Sequence, residues 1–266
     1  MTETVTEPAA LVDIRRNVMI ITINRPTARN AVNSAVSTAV GDALQHAQDD
    51  PDIRAVVLTG AGDQSFCAGA DLKAISRGEI LTHPDHVEWG FAGYVRHFID
   101  KPTISAVNGT ALGGGTELAL ASDLVVAREG AIFGLPEVRR GLIAAAGGVF
   151  RIIEQMPHRL GLELMFTGDP ITAAEAARWG LINEVVPDGT ELDAAMALAE
   201  RIAANAPLAV QASKRVAYGA TDSVIPHEQP RWEITTHEYR TLRTSEDARE
   251  GPLAFAEKRL PVWKAR

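Results

Sequence analysis

Disulfides are the first thing this sequence excludes. Its 266 residues include one cysteine, Cys67, so no intrachain bridge can form, and a reducing compartment suits it. A basic excess is missing too: 26 Lys and Arg stand against 34 Asp and Glu, a net charge of −8. That argues against a nucleic-acid footprint, although backbone amides and single side chains still suffice to hold a small anion. No apolar run approaches the roughly 18 residues that a membrane helix needs. The opening MTETVTEPAA is acidic and has neither the basic nor the apolar region of a signal peptide. A cytoplasmic protein without membrane contact is the expectation. Two phosphate-binding motifs are absent as well. GGGTE lacks the Gly-Lys-Ser/Thr ending of a P-loop, and a dinucleotide fingerprint counted from Gly113 would need glycine where Leu118 stands.

What is present is an ordinary globular composition, 46% hydrophobic and 23% charged, long enough for a sizeable core. LVDIR and VMIITIN flank Arg16-Asn17 as two strands of a hairpin. Apolar residues spaced by three and four predict a helix from about Ser34 to Gln48. AVVLTG (55–60), TISAVNG (103–109), LVVAR (124–128), AIFG (131–134) and LINEVV (181–186) read as strands, and TELALASD (116–123) as a short helix. Buried strands alternating with helices predict an α/β chain with parallel pairing. In TAAEAARWG, Thr172 and Glu175 stand as a capping box. ELDAAMALAERIAANAP carries an apolar stripe at Leu192, Ala195, Met196, Ala199, Ile202 and Ala203. After Pro207 only helices and loops are expected, one of them starting at Thr244 with Asp247 completing a capping box. The division expected is a flexible N-terminus over 1–10, an α/β core over 11–190 and a helical C-terminal region over 191–266.

Two strand-to-helix junctions are built from small residues. One is GTALGGGTELAL, with Gly113, Gly114 and Gly115 before Glu117; the other is FCAGADLK (66–73). Such junctions point unpaired amides at one spot, and glycine lets a reacting oxygen approach them. Read alone, Glu117 is a first-turn carboxylate that favours the helix dipole. A second carboxylate, Glu137 in FGLPEV, also sits among apolar neighbours after a short strand. Two close carboxylates in an apolar pocket do not both ionise easily, which leaves an acid and a base at neutral pH.

AVNGTALGGGTELALASDLVVA followed by AIFGLPEVRRGL resembles the crotonase (enoyl-CoA hydratase/isomerase) superfamily. So do NRPTARNAV, FCAGADLK and FTGDPITAAEAARWGLINEVV, and the likeness runs from about residue 11 to the end. SEDAREGPLAFAEKRLPVWKAR and AEAARWGLINEVV are closest in look to the carnitinyl-CoA dehydratase branch. The resemblance implies a crotonase-like spiral of repeated ββα units with a helical C-terminal trimerisation region, and a homotrimer or a hexamer of two trimers. It implies acyl-CoA substrates, with oxyanion-hole amides on Ala70 and Gly114 and catalytic glutamates at Glu117 and Glu137. Hydration of a 2-enoyl-CoA is the activity it implies. The alternatives are a carnitinyl-CoA dehydratase, a delta-enoyl-CoA isomerase or a non-catalytic RNA-binding member. Ala68, Ala70, Asp71, Leu72, Lys73 and Gly114 fall on the substrate-binding segments, Ala28 and Arg29 near the CoA phosphates, and Lys258 where the family presents a cation to CoA. No metal and no cofactor is expected, coenzyme A arriving with the substrate. One departure stands out: LIAAAGG (142–148) replaces the family's Leu-Ile-Pro-Gly-Ala-Gly-Gly, so Ala144-Ala145 stand in place of a Pro-Gly turn.

Other features have plainer readings. HPDH (83–86) with Glu88 reads as a loop rather than a metal cluster, since no third histidine is near in sequence. Trp89, Phe91, Tyr94 and Phe98 form a mostly apolar stripe that suits either an acyl-pocket wall or plain core. Cys67, with no activating histidine, reads as a small buried residue.

Overall fold

The computed structural model describes residues 7–266. Strands β1 (Ala10–Arg15) and β2 (Val18–Ile23) form an antiparallel hairpin. Arg16 and Asn17 turn it with positive φ of 50° and 68°, the twist a two-residue turn between paired strands requires. Helix α1 (Ser34–Asp49) starts where the apolar spacing predicts, and Asn33 Oδ1 accepts from the Val36 amide to cap it.

A repeating unit follows. Strands β3 (Ala55–Gly60) and β4 (Ser65–Cys67) precede α2 (Leu72–Ser76). Strands β5 (Thr103–Val107) and β6 (Thr110–Leu112) precede α3 (Gly114–Ala121). Strands β7 (Leu124–Arg128) and β8 (Ile132–Gly134) precede a 3-10 turn, Pro136–Arg140, and α4 (Gly148–Gln155). The first strand of each pair joins a six-stranded sheet that β10 (Glu184–Val186) completes, ordered β1-β2-β3-β5-β7-β10, and the second joins a four-stranded sheet that β9 (Ile171–Thr172) completes, β4-β6-β8-β9. The chain thus winds between two sheets as a spiral of ββα units. Apart from the hairpin, the large sheet is parallel throughout.

Helix α5 (His158–Thr167), the two-residue β9 (Ile171–Thr172), α6 (Ala173–Arg178) and β10 (Glu184–Val186) complete the core. Thr172 and Glu175 form the expected capping box. β10 is shorter than LINEVV, because Leu181 and Ile182 turn into the core and Asn183 Oδ1 accepts from the Val125 amide.

The large sheet is buried on both faces, as parallel sheets are. Met19, Ile21, Ile23, Val56 and Leu58 face one cluster; Val18, Ile20, Ala55 and Val57 face the other. Helix α7 (Glu191–Ala203) closes the second face with Ala195, Met196, Ala199 and Ala203, the stripe read from the sequence. After α7 come α8 (Pro207–Tyr218), α9 (Gln229–Leu242) and α10 (Glu246–Ala256). The last starts at Ser245, whose hydroxyl accepts from the Ala248 amide, not at Thr244. Asp247 forms no capping box; its carboxylate accepts from the Lys264 and Ala265 amides and folds the C-terminal tail back onto α10. Of the N-terminal stretch expected to be flexible, residues 1–6 lie outside the described residues, and Ala10 opens β1.

Candidate active site

The three glycines before Glu117 have three different tasks. Gly113 caps α3 with a φ of 56° and ψ of −123°, a conformation that glycine alone adopts without strain. Gly114 is the first helical residue, so its amide has no partner inside the helix. Gly115 lies against β4 so closely that a Cβ there would overlap the Cys67 carbonyl oxygen. The second junction arrives at the same place. A Cβ on Gly69 would lie 3.2 Å from the Gly114 nitrogen, so the peptide leading into Ala70 runs beside that amide. Among the described residues, neither the Ala70 nor the Gly114 N–H finds an acceptor. The N–H groups on either side of Ala70 do have other business: Gly69 N donates to Cys67 Sγ and Asp71 N to Val32 O.

Glu117 sits on the first buried turn of α3, only 3% exposed. Its Oε1 accepts from the Ala146 amide at 2.7 Å and from the Gly148 amide at 2.9 Å. The LIAAAGG loop therefore grips the glutamate directly. Gly148 leaves the room for this, since a Cβ there would lie 2.9 Å from Glu117 Oε1. Glu137 is half-buried on the 3-10 turn. Its Oε1 lies 2.9 Å from where Gly113 would carry a Cβ, over the start of α3. Its Oε2 is buried and accepts no hydrogen bond among the described residues. Burial raises both carboxyls above the usual range, and the charge of Glu137 raises Glu117 further. Two amides and the more distant Arg151 pull Glu117 back only in part. The pair shares its protons, so one carboxyl stays neutral while the other is charged.

Thr116 joins the two glutamate-bearing segments and had no role legible in the sequence. Its hydroxyl accepts from the Gly134 amide at 2.9 Å and is within 2.7 Å of the Ala111 carbonyl, its acceptor. Helix α3 is thereby fastened to β6 and to the strand that leads into Glu137. Arg25 was also unforeseen. It reaches the Ala31 carbonyl and pairs with Asp71 at 2.9 Å, bracing the loop of the Ala70 amide.

The remaining sequence candidates divide. Ala68, Leu72 and Lys73 are exposed beside the Ala70 junction, with Arg29 exposed and Ala28 half-buried on the neighbouring turn, where Ala68 N donates to Arg29 O. Asp71 is nearly buried, and its carboxylate is engaged by Arg25 and by the Lys73 and Ala74 amides that it caps. Lys258 is exposed after α10, and no hydrogen bond or ion pair among the described residues ties it to these loops. The aromatic stripe also divides. Phe91 lies over the site, 2.5 Å from a Cβ placed on Gly114. Trp89 is stacked between His86 and His97, each ring centroid 3.9 Å away. Tyr94 is core, its hydroxyl 2.8 Å from that of Ser122, and Phe98 packs on Tyr218. His83 bonds Asp42 and His86 bonds Glu88, as loop residues do. Burial pushes the Cys67 thiol up to about 12, which leaves it no nucleophile.

A carbonyl oxygen placed between the Ala70 and Gly114 amides would sit beside both glutamates. Comparison with known proteins bears on what that carbonyl is. Residues 13–266 match the family model described as enoyl-CoA hydratase/isomerase. A carnitinyl-CoA dehydratase of Salmonella paratyphi A is 44% identical over 253 residues, 94% of this chain and 95% of the relative. The crystal structure of a carnitinyl-CoA hydratase from Mycobacterium avium is 73% identical, with a TM-score of 0.97 over 98% of this chain and 100% of the other. An enoyl-CoA hydratase structure from Mycobacterium tuberculosis is 45% identical, with a TM-score of 0.75 over 98% and 100% of the two chains.

Proposed function

Since the chain belongs to the enoyl-CoA hydratase/isomerase family, we propose that it reversibly adds water across the C2=C3 bond of a 2-enoyl-CoA, using the site just described. The observation that carries this reading is the meeting of two unpaired amides with buried Glu117 of α3 and half-buried Glu137 of the 3-10 turn at the start of α3. The thioester oxygen accepts from the Ala70 and Gly114 N–H groups, which hold the charge that develops there in the enolate. Glu117, fixed by the Ala146 and Gly148 amides, takes a proton from the water whose oxygen bonds to the β-carbon. The protonated carboxyl of Glu137 gives its proton to the α-carbon. The pair ends with its proton on Glu117 and re-equilibrates for the next turnover. Ala28, Arg29, Ala68, Leu72 and Lys73 are assigned to the CoA moiety, with Asp71 contributing its backbone and Lys258 its charge.

The acyl group has two readings. The relatives named for carnitinyl-CoA favour crotonobetainyl-CoA; those named enoyl-CoA hydratase favour uncharged chains. Hydration of both substrates, followed by loss of enoyl-thioester absorbance, separates them by kcat/KM. Glu117→Gln and Glu137→Gln should each lower kcat by about 10²–10⁴-fold with little change in KM. A wild type inactive on every enoyl-CoA, or variants that keep full activity, would sink the proposal. The chemistry calls on no cofactor beyond the substrate's coenzyme A, because the thioester and the oxyanion amides acidify the α-carbon. Chelator-dialysed enzyme should keep its rate.

No described helix is long and apolar enough to cross a membrane. A cytoplasmic setting accords with the one buried cysteine. Family membership and the exposed Leu208, Val216, Ile234 and Leu260 of the C-terminal region support a homotrimer or a pair of trimers. A monomer at micromolar concentration in sedimentation would remove that part.

A further inference from the structure

One buried ion pair is not used in the mechanism above. Arg151 on α4 donates from Nε to Glu228 Oε1 at 2.9 Å and from Nη2 to Oε2 at 2.8 Å, a two-pronged contact across 77 residues of sequence. Trp232 Nε1 donates to the same Oε2 at 3.1 Å, and its ring stands edge-on to Phe150 at 5.0 Å. Arg151, Glu228 and Trp232 are each 6% exposed and border a cavity of about 790 Å³ between α4 and the C-terminal helices. Stability alone does not call for such a pair, because apolar residues of similar size often serve as well.

Its position is more telling. The Ala146 and Gly148 amides hold Glu117, and the residue between them is Gly147. A Cβ on Gly147 would lie 3.0 Å from the Trp232 ring and 3.2 Å from Arg151 Nη1. The ion pair and the indole therefore rest on the peptide that carries the two gripping amides. We infer that Arg151, Glu228 and Trp232 are positioning residues for Glu117, fixing the start of α4 to the helical C-terminal region so that both amides meet the carboxylate. This rests on the hydratase reading above.

Arg151 also acts through its charge. The ionisable groups facing Glu117 are Glu137 from the 3-10 turn, Cys67 from β4 and Arg151 from α4. Those facing Arg151 are Glu228, Arg96, Tyr94 and Tyr218. Arg151 favours the ionised glutamate, and Glu228 offsets it.

The test is the pH profile of kcat/KM for hydration by Glu228→Gln and Arg151→Gln. Losing Glu228 leaves the cation uncompensated, so the whole bell should move to lower pH. Losing Arg151 should move it to higher pH. In both, kcat should fall about 10–100-fold at near-constant KM, the scale of a misplaced catalytic group. Arg151→Met with Glu228→Met keeps bulk without charge and serves if either single variant does not fold; it too should have reduced kcat at unchanged KM. A fall in Tm with unmoved profiles and wild-type kcat, or profiles moving in one common direction, overturns the inference. So does full wild-type kcat in the double variant. A wild type inactive on enoyl-CoA would instead overturn the hydratase reading.

Discussion

Glu117 brings its charge into a place with little to solvate it. Burial and the neighbouring Glu137 raise its folded-state pKa above the value of an unfolded chain. The folded state therefore holds this proton more tightly than the unfolded one, and stability is lost as pH rises from the ordinary carboxylate range through the raised value. Glu117→Gln removes the ionisation but keeps an oxygen for the two amides. Its Tm relative to wild type should climb between pH ~5 and pH ~9, measured by calorimetry without substrate. A difference that stays flat over that range would mean that burial does not penalise this charge. Both glutamates were legible in the sequence, because a carboxylate beside Leu118 and Ala119, or after Leu135-Pro136, is conspicuous among apolar neighbours. Thr116 was not, since its task depends on Gly134, 18 residues on, at the end of β8 beside β6. Arg25 is invisible for the same reason: its partner Asp71 is 46 residues away.

At the scale of elements, the 3-10 turn of Glu137 is held by its fit to α10. A Cβ on Gly251 would overlap the Arg140 carbonyl oxygen, and one on Gly141 would overlap that of Asp247. The two backbones touch where each lacks a side chain, with Arg140 lying 4.0 Å over the Phe255 ring beside them. By helix propensity alone, Gly251→Ala should stabilise by about 1 kcal/mol. The contact predicts the opposite: a lower Tm, and kcat for enoyl-CoA hydration reduced about tenfold or more as the turn shifts. A gain in Tm with full activity would show that α10 yields freely. Elements whose signals are local were legible, among them α1, the β1–β2 hairpin, the capping box of α6 and the apolar stripe of α7. The misplaced start of α10 has a physical reason: Thr244 and Ser245 are adjacent hydroxyl residues, and Asp247 is claimed by the tail, which no local pattern records. β10 was overextended because an apolar run reads the same whether it pairs in a sheet or turns into the core.

In the whole molecule, the spiral supplies the amides and the glutamates, while the C-terminal helices hold two of its loops in place. Trp232 and Glu228 rest on the loop that grips Glu117; α10 rests on the turn that carries Glu137. Catalysis should therefore fail when these helices undock, before the sheets open. In a urea series, activity should be lost together with hydrogen-exchange protection in α9 and α10, and ahead of protection in β3 and β5. Activity that outlasts protection in α9 would separate the helices from the chemistry. The family's spiral was readable from motifs in order, but this bracing was not, because it is made by residues far apart in the chain. The glycine run from 113 to 115 has one more consequence, for how such an enzyme acquires new substrates. There Gly115 lies against the Cys67 carbonyl, backbone on backbone, and Gly113 lies beneath the Glu137 carboxylate. Selection has no side chain to vary at these points, and an added one collides. The scope for diversification lies instead with side chains such as Phe91, which lies over the same helix start, and a library aimed at altered acyl preference would place its codons there and spare the glycines.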